Sequence, residues 1–197
     1  MKRLFVLFIF VLTFWSSTSA FSDGFQKGTE AYDRGDYETA LKVFKPLAEK
    51  GDADAQFNVG LLYLRGQGVT QDYNVAVKWF RLAADQGYTK AQYNMGIAHN
   101  RGAGAKKDEK ASFHWNKLAA EGGHAGAQFQ LAYAYAVGEV VPHDLLRAYI
   151  WFSFAAEQGV DNAAGNRDYA VEQMSASQVL EARKMARECK ENNYQGC

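Results

Sequence analysis

The chain has 197 residues, of which 48% are hydrophobic and 22% charged, a composition that excludes an intrinsically disordered chain and suits one domain or a compact repeat array. Lys plus Arg and Asp plus Glu both number 22, so no net field draws in nucleic acid or an anionic membrane surface, and neither is an expected partner. Two Pro and two Cys exclude a collagen-like rod, a Pro-rich linker and a multi-disulfide miniprotein.

Residues 1–20 have the layout of a secretory signal peptide. Met1-Lys2-Arg3 is cationic, Leu4 to Phe14 is apolar, and Ser16 to Ala20 is small and polar, with Thr18 and Ala20 suited to the cleavage pocket. A membrane anchor is the competing reading, but such a run spans about 18 Å against a hydrocarbon core of about 30 Å. No stable membrane insertion is therefore expected after cleavage at Ala20. No Cys follows the run, so lipid attachment is not supported. The expected destination is periplasmic, with full secretion as the alternative.

Downstream the sequence repeats every 36 residues. Trp79, Trp115 and Trp151 keep that step, as do Ala55, Ala91, Ala127 and Ala163, the acidic series Asp72, Asp108 and Asp144, and Gly66, Gly102 and Gly138. Ala40, Phe44, Ala48 and Gly51 extend it backwards, but Phe25 and Gly28 precede Phe57 and Gly60 by only 32, so the first unit has a shorter turn at Tyr32 to Tyr37. Residues 21–51 thus form one unit and residues 52–159 three more.

Each period predicts two helices. Ala53 to Leu64 is apolar almost all round with helical spacing, and Arg65-Gly66-Gln67-Gly68 stops it. Asp72 caps a helix from Tyr73 to Gln86, whose buried stripe is Val75, Ala76, Trp79, Phe80, Ala83 and Ala84. No segment alternates with period two, so the fold class is all-α. A capping helix pair is expected over residues 160–191, its last helix laying Val179, Leu180, Ala182, Met185 and Ala186 on the final repeat. In the tail, residues 192–197, Asn and Gly allow the chain to turn back. Cys189 and Cys197 can then come within the ~5.5 Å Cα separation of a disulfide, which export permits. Free thiols or a bridge to another chain are the alternatives.

Motifs for chemistry are scarce. His99, His114, His124 and His143 lack the i, i+4 spacing of a helical zinc site, and His124 and His143 read as exposed loop residues. Gly66-x-Gly68 and Gly102-x-Gly104 follow helices and recur with the period, which is turn chemistry and not a phosphate cradle. Asp52-x-Asp54 sits at a helix start, where capping accounts for it. No catalytic residue, metal or cofactor is expected.

One unit reads Gly60-x-x-Tyr63-x-x-Gly66-x-Gly68-Val69-x-x-Asp72-x-x-x-Ala76-x-x-Trp79-x-x-x-Ala83-Ala84-x-x-Gly87, which resembles the Sel-1-like repeat, a relative of the tetratricopeptide repeat. The resemblance covers residues 23 to 160, with a tetratricopeptide-like unit first, and Met174 to Gln178 is similar to the terminal cap of bacterial members. Ala132 and Val140 depart from it at Gly positions, so the fourth unit's turn is expected to differ. The resemblance implies a right-handed α-solenoid of antiparallel helix pairs, used as a scaffold for protein contacts, with no catalytic residues to carry over.

In such solenoids the first helices line the concave groove. Phe25, Phe57, Tyr93 and Phe129 share one position in these helices, and Thr29, Leu61, Ile97 and Tyr133 lie one turn further on. Two readings stay open: an aromatic groove for a partner's peptide or helix, flanked by Arg65, Asn100 and Arg101, or the repeat's own packing. The function expected is a non-enzymatic interaction scaffold or regulator of the cell envelope. The alternatives are a self-assembling structural protein, whose homo-oligomer the sequence leaves open, and an accessory to a cell-wall or antibiotic hydrolase.

Overall fold

The computed structural model of the chain describes residues 24–197, and the signal segment expected at residues 1–20 lies outside them. Among the described residues all regular structure is helical, and no helix is long and apolar enough to cross a membrane. The chain divides into two compact units at Ala83/Ala84.

The first unit holds α1 (residues 24–33), α2 (Tyr37–Glu49), α3 (Ala53–Arg65) and most of α4 (Tyr73–Asp85). Its core gathers Ala31, Ala40, Phe44, Leu47, Ala48, Ala55, Val59 and Leu62. The close approach of paired helices is set by glycine. A Cβ at Gly28 would lie 2.5 Å from the Phe44 ring and one at Gly60 2.6 Å from the Phe80 ring, so each phenyl packs directly on bare backbone. The four-residue slip in the repeat is absorbed entirely in the connection: residues 34–36 join α1 to α2, whereas residues 66–72 join α3 to α4.

The second unit holds α5 (Thr89–Arg101), α6 (Glu109–Glu121), α7 (Ala125–Val137), α8 (Leu145–Glu157), α9 (Ala163–Glu172) and α10 (Ala176–Glu191). Neighbours in sequence pack together from α5 to α9, and α10 returns to α8. The core contains Leu131, Ile150, Trp151, Phe152 and Phe154 among small alanines.

The periodic polar residues close each helix pair. Asp72, Asp108 and Asp144 accept N–H bonds from Val75, Ala111 and Arg147 at 3.0, 2.9 and 2.9 Å. Their own N–H groups donate to Tyr63, His99 and Tyr135 carbonyls at 3.1, 3.0 and 3.0 Å, which pins the start of the second helix to the first. The Ala111 amide is the main reason the Asp108 carboxyl titrates below its ordinary range. The turn after α7 does differ, as Ala132 and Val140 implied: Gly68 and Gly104 have φ of 68° and 74°, whereas Val140 stays out of the left-handed region. The Asp144 cap nonetheless restores the register.

A second periodic set escaped the sequence reading. Gln56, Gln92 and Gln128 are buried, and their Nε2 groups donate to the Ala48, Ala84 and Ala120 carbonyls at 3.1, 3.3 and 3.4 Å. Each adds a second bond to a helix-end carbonyl that already accepts the N–H of Gly51, Gly87 or Gly123 at 3.0, 2.9 and 2.9 Å, and so ties the start of one helix pair to the end of the preceding helix.

Ser175 and Gln178 form a capping box at the start of α10, which covers the last repeat through Ala182, Met185 and Ala186. Leu180 does not join them: it is 68% exposed, because it lies a half-turn from Ala182 on the outer face. Cys189 and Cys197 are disulfide-bonded with a Cα separation of 5.7 Å. Tyr194 packs edge-on against Phe154 with centroids 4.9 Å apart. Gln195 Nε2 donates to the Glu121 carbonyl at 3.1 Å and Arg147 Nε to that of Cys197 at 3.1 Å, so the tail is fastened at several points. A short loop adds little by chain entropy, about 2 to 3 kcal/mol at most.

Candidate partner-binding surface

The aromatic ring of the first helices is engaged inside each unit. Phe57, 9% exposed, packs on Phe80 with centroids 5.7 Å apart; Phe25 meets Phe44 at 5.3 Å and Phe129 meets Phe152 at 5.4 Å. Of the two readings for these positions, the side chains are arranged as packing.

Tyr93 stacks at 4.2 Å on His124. This histidine is not the exposed loop residue that its place after Gly123 suggested. It is half-buried and caps α7, its Nδ1 accepting the Ala127 N–H at 3.2 Å. Burial and the nearby Lys90 charge lower its pKa, and only a neutral imidazole offers Nδ1 as an acceptor. A lowered folded-state pKa means that the unfolded chain takes the proton first. The stabilisation is complete above the ordinary histidine value of about 6.5 and is lost as pH falls below it. The unfolding midpoint should therefore drop on acidification more steeply in the native chain than in His124→Asn, which caps without titrating. Parallel pH profiles would remove the cap assignment.

One turn further along, the positions differ from one another. Leu61 and Ile97 are half-buried, whereas Tyr133 is 55% exposed. Arg65 is exposed and its Nη1 donates to the Tyr32 hydroxyl; Asn100 and Arg101 are exposed as well. In the second unit Tyr133 and Val137, one turn apart on α7, form a ridge between two clefts. The first, about 200 Å³, includes Asn100, Ser112, Phe113 and Asn116; the second, about 440 Å³, includes Leu145, Phe152 and Tyr169. The structure thus brings Asn100 and Tyr133 together at one cleft, while Tyr93, Ile97, Arg101 and Phe129 line neither. Phe57, Leu61 and Arg65 belong to the first unit.

Sequence reasoning missed Tyr169, 65% exposed, although it continues the 36-residue step from Tyr133. It also missed Ser112 and Asn116, polar residues where the neighbouring repeats have Ala76 and Phe80, or Ala148 and Phe152. Among the described residues no group of three or more His, Cys, Asp and Glu side chains is placed to hold a metal ion.

Helix pairs that repeat with one register, each sealed by the same cap and the same buried glutamine, define an α-solenoid repeat protein. The Sel1 repeat model matches residues 53–88, 89–124 and 125–160, and the chain belongs to the Sel1 repeat family, whose members generally serve as scaffolds for protein contacts. It is similar to the crystal structure of a protective antigen present in uropathogenic Escherichia coli strains and displaying an SLR fold. The TM-score is 0.76 at 30% identity over 91% of this chain. A Sel1 repeat protein from Oxalobacter formigenes is similar with a TM-score of 0.73 at 27% identity, over 87% of this chain and 72% of that one. The chain spans 40% of the length of the Escherichia coli antigen. No curated protein matches the sequence.

Proposed function

We propose that this protein is a non-enzymatic scaffold of the cell envelope, exported and trimmed after Ala20, that holds a peptide or helix of a partner protein against the exposed face of α7 and α9. The observation that carries this reading is the pair Tyr133 and Tyr169, large aromatic side chains 55% and 65% exposed at one repeat position, with clefts beside them. Aromatic side chains supply much contact area for little conformational entropy, so a partner gains most there. The Cys189–Cys197 disulfide supports an oxidising compartment, because reducing cytosol rarely preserves such bonds.

The double variant Tyr133→Ser, Tyr169→Ser tests the proposal. Both side chains are largely in solvent, so helix content and melting temperature should stay near those of the native chain, while in-cell cross-linking to the partner should be lost. Undiminished cross-linking to the same partner would place the contact elsewhere. Cross-links that join only copies of this chain would replace the scaffold with self-assembly.

A further inference from the structure

The second Sel1-type helix pair departs from its neighbours at two buried positions. Between Phe80 and Phe152 the same register holds Asn116, and between Ala76 and Ala148 it holds Ser112. Ser112 and Asn116 are 6% and 7% exposed, so the change puts two polar side chains where the repeat has an apolar plug. The Asn116 amide lies on Gly96 as Phe80 lies on Gly60, its Nδ2 and Oδ1 both 2.8 Å from where a Gly96 Cβ would be.

The hydrogen bonds fix which atom is left over. Ser112 Oγ donates its one proton to the Gly96 carbonyl at 2.9 Å, so towards Asn116 it can only accept. Asn116 Nδ2 supplies that bond at 3.3 Å, and this orients the amide. Asn116 Oδ1 remains, buried and without a donor. A buried acceptor left unpaired is costly, and such atoms in native proteins call for a missing partner.

Both side chains line the cleft of about 200 Å³, with the Phe113 and Tyr133 rings on its sides and Glu109, Glu139 and Lys107 around it. Lys107 lies 3.9 Å from Glu109, which leaves Glu139 as the excess charge. The missing group is thus an N–H donor, cationic, and able to lie against aromatic rings. A guanidinium on a long flexible stem meets all three requirements, whereas a helix is too wide for the space.

We propose that this cleft is a specificity pocket for one arginine side chain of the partner peptide, whose guanidinium faces the Glu139 carboxylate and takes Asn116 Oδ1 as its acceptor once the Asn116 amide turns out towards the cleft. The inference rests on the reading of the α7 face as the partner-binding surface and names the chemistry that it selects.

The test titrates the exported chain with a blocked pentapeptide, Gly-Gly-Arg-Gly-Gly, and with its citrulline and norleucine counterparts and free arginine amide, following the Asn116 side-chain amide by NMR. The arginine peptide should shift that resonance and bind about tenfold more tightly than the citrulline peptide, with norleucine showing no binding. Asn116→Leu should reduce arginine-peptide affinity tenfold or more, and Glu139→Gln, an exposed change that leaves the core alone, should weaken it and flatten its salt dependence. Equal binding of the arginine and norleucine peptides overturns the proposal, as does unchanged affinity in both variants. A crystal structure with only a water on Asn116 Oδ1 after soaking with the arginine peptide does the same. Free arginine amide binding as tightly as the peptide would make this a small-molecule site. Partner cross-linking that survives Asn116→Leu but not the Tyr133, Tyr169 double variant would sink the pocket and leave the surface standing.

Discussion

Trp151→Ala should destabilise the protein by about 3 to 5 kcal/mol, the range for deleting a fully buried large aromatic side chain. The indole is 1% exposed, meets Phe154 edge-on with centroids 5.7 Å apart, and shares its core with Leu131, Ile150 and Phe152. Phe154 in turn carries Tyr194 of the disulfide-closed tail, so a cavity here loosens both the last repeat and its cap. In a repeat array each unit is stabilised by its neighbours, and the loss is passed along the chain. For a protein of this size the melting temperature should fall by roughly 10 °C. Trp115→Ala, at a position 6% exposed, should cost nearly as much, and Trp79→Ala, where the ring is half-buried, less. Trp151→Phe should be far milder, because the indole Nε1 has no hydrogen-bond partner and its removal leaves no acceptor unsatisfied. A melting temperature for Trp151→Ala within a degree or two of the native value would remove this ring from the core.

Gly68→Val should cost about 3 kcal/mol or more, through two effects at one residue. Gly68 has φ of 68°, a conformation that β-branched side chains rarely adopt, and a Cβ there would sit 2.5 Å from the Tyr37 carbonyl carbon and 2.7 Å from the Glu38 nitrogen. Backbone atoms at the start of α2 cannot rotate away as a side chain would. Gly87→Asn separates the two effects: Gly87 also has positive φ, at 85°, but nothing lies within 4 Å of its Cβ position. That variant should lose far less stability, since Asn tolerates the left-handed region and meets no obstacle. Equal losses at Gly68 and Gly87 in chemical denaturation would show that φ alone decides and that the approach to α2 is unimportant. Val140 stands at the corresponding place in the last repeat because the backbone there has left the positive-φ conformation.

The amino-acid sequence alone determined what is local and periodic. Helix bounds came within a residue, Ala53 to Leu64 against Ala53–Arg65 and Tyr73 to Gln86 against Tyr73–Asp85, because an Asp cap and a Gly stop act over three or four residues. The Cys189–Cys197 bond was legible for the same reason, since a short turn-forming segment separates the two thiols. Tertiary structure decided which faces are used. A helix such as α3 or α7 is apolar almost all round, so its sequence does not say whether Phe57 or Tyr133 meets water. The answer depends on what the neighbouring helix places opposite: Phe80 covers Phe57, whereas Tyr133 is left 55% exposed. His124 was misread because its stacking against Tyr93 exists only once the start of α7 lies beside α5, while its cap on Ala127, though local, comes from a residue outside the usual N-cap set. Asn116 was visible as a break in the repeat, but a polar residue in an apolar register is only an anomaly in sequence. Folding gives it meaning, by using the Ser112 proton on Gly96 and leaving one buried amide oxygen without a donor on a residue that lines a cleft.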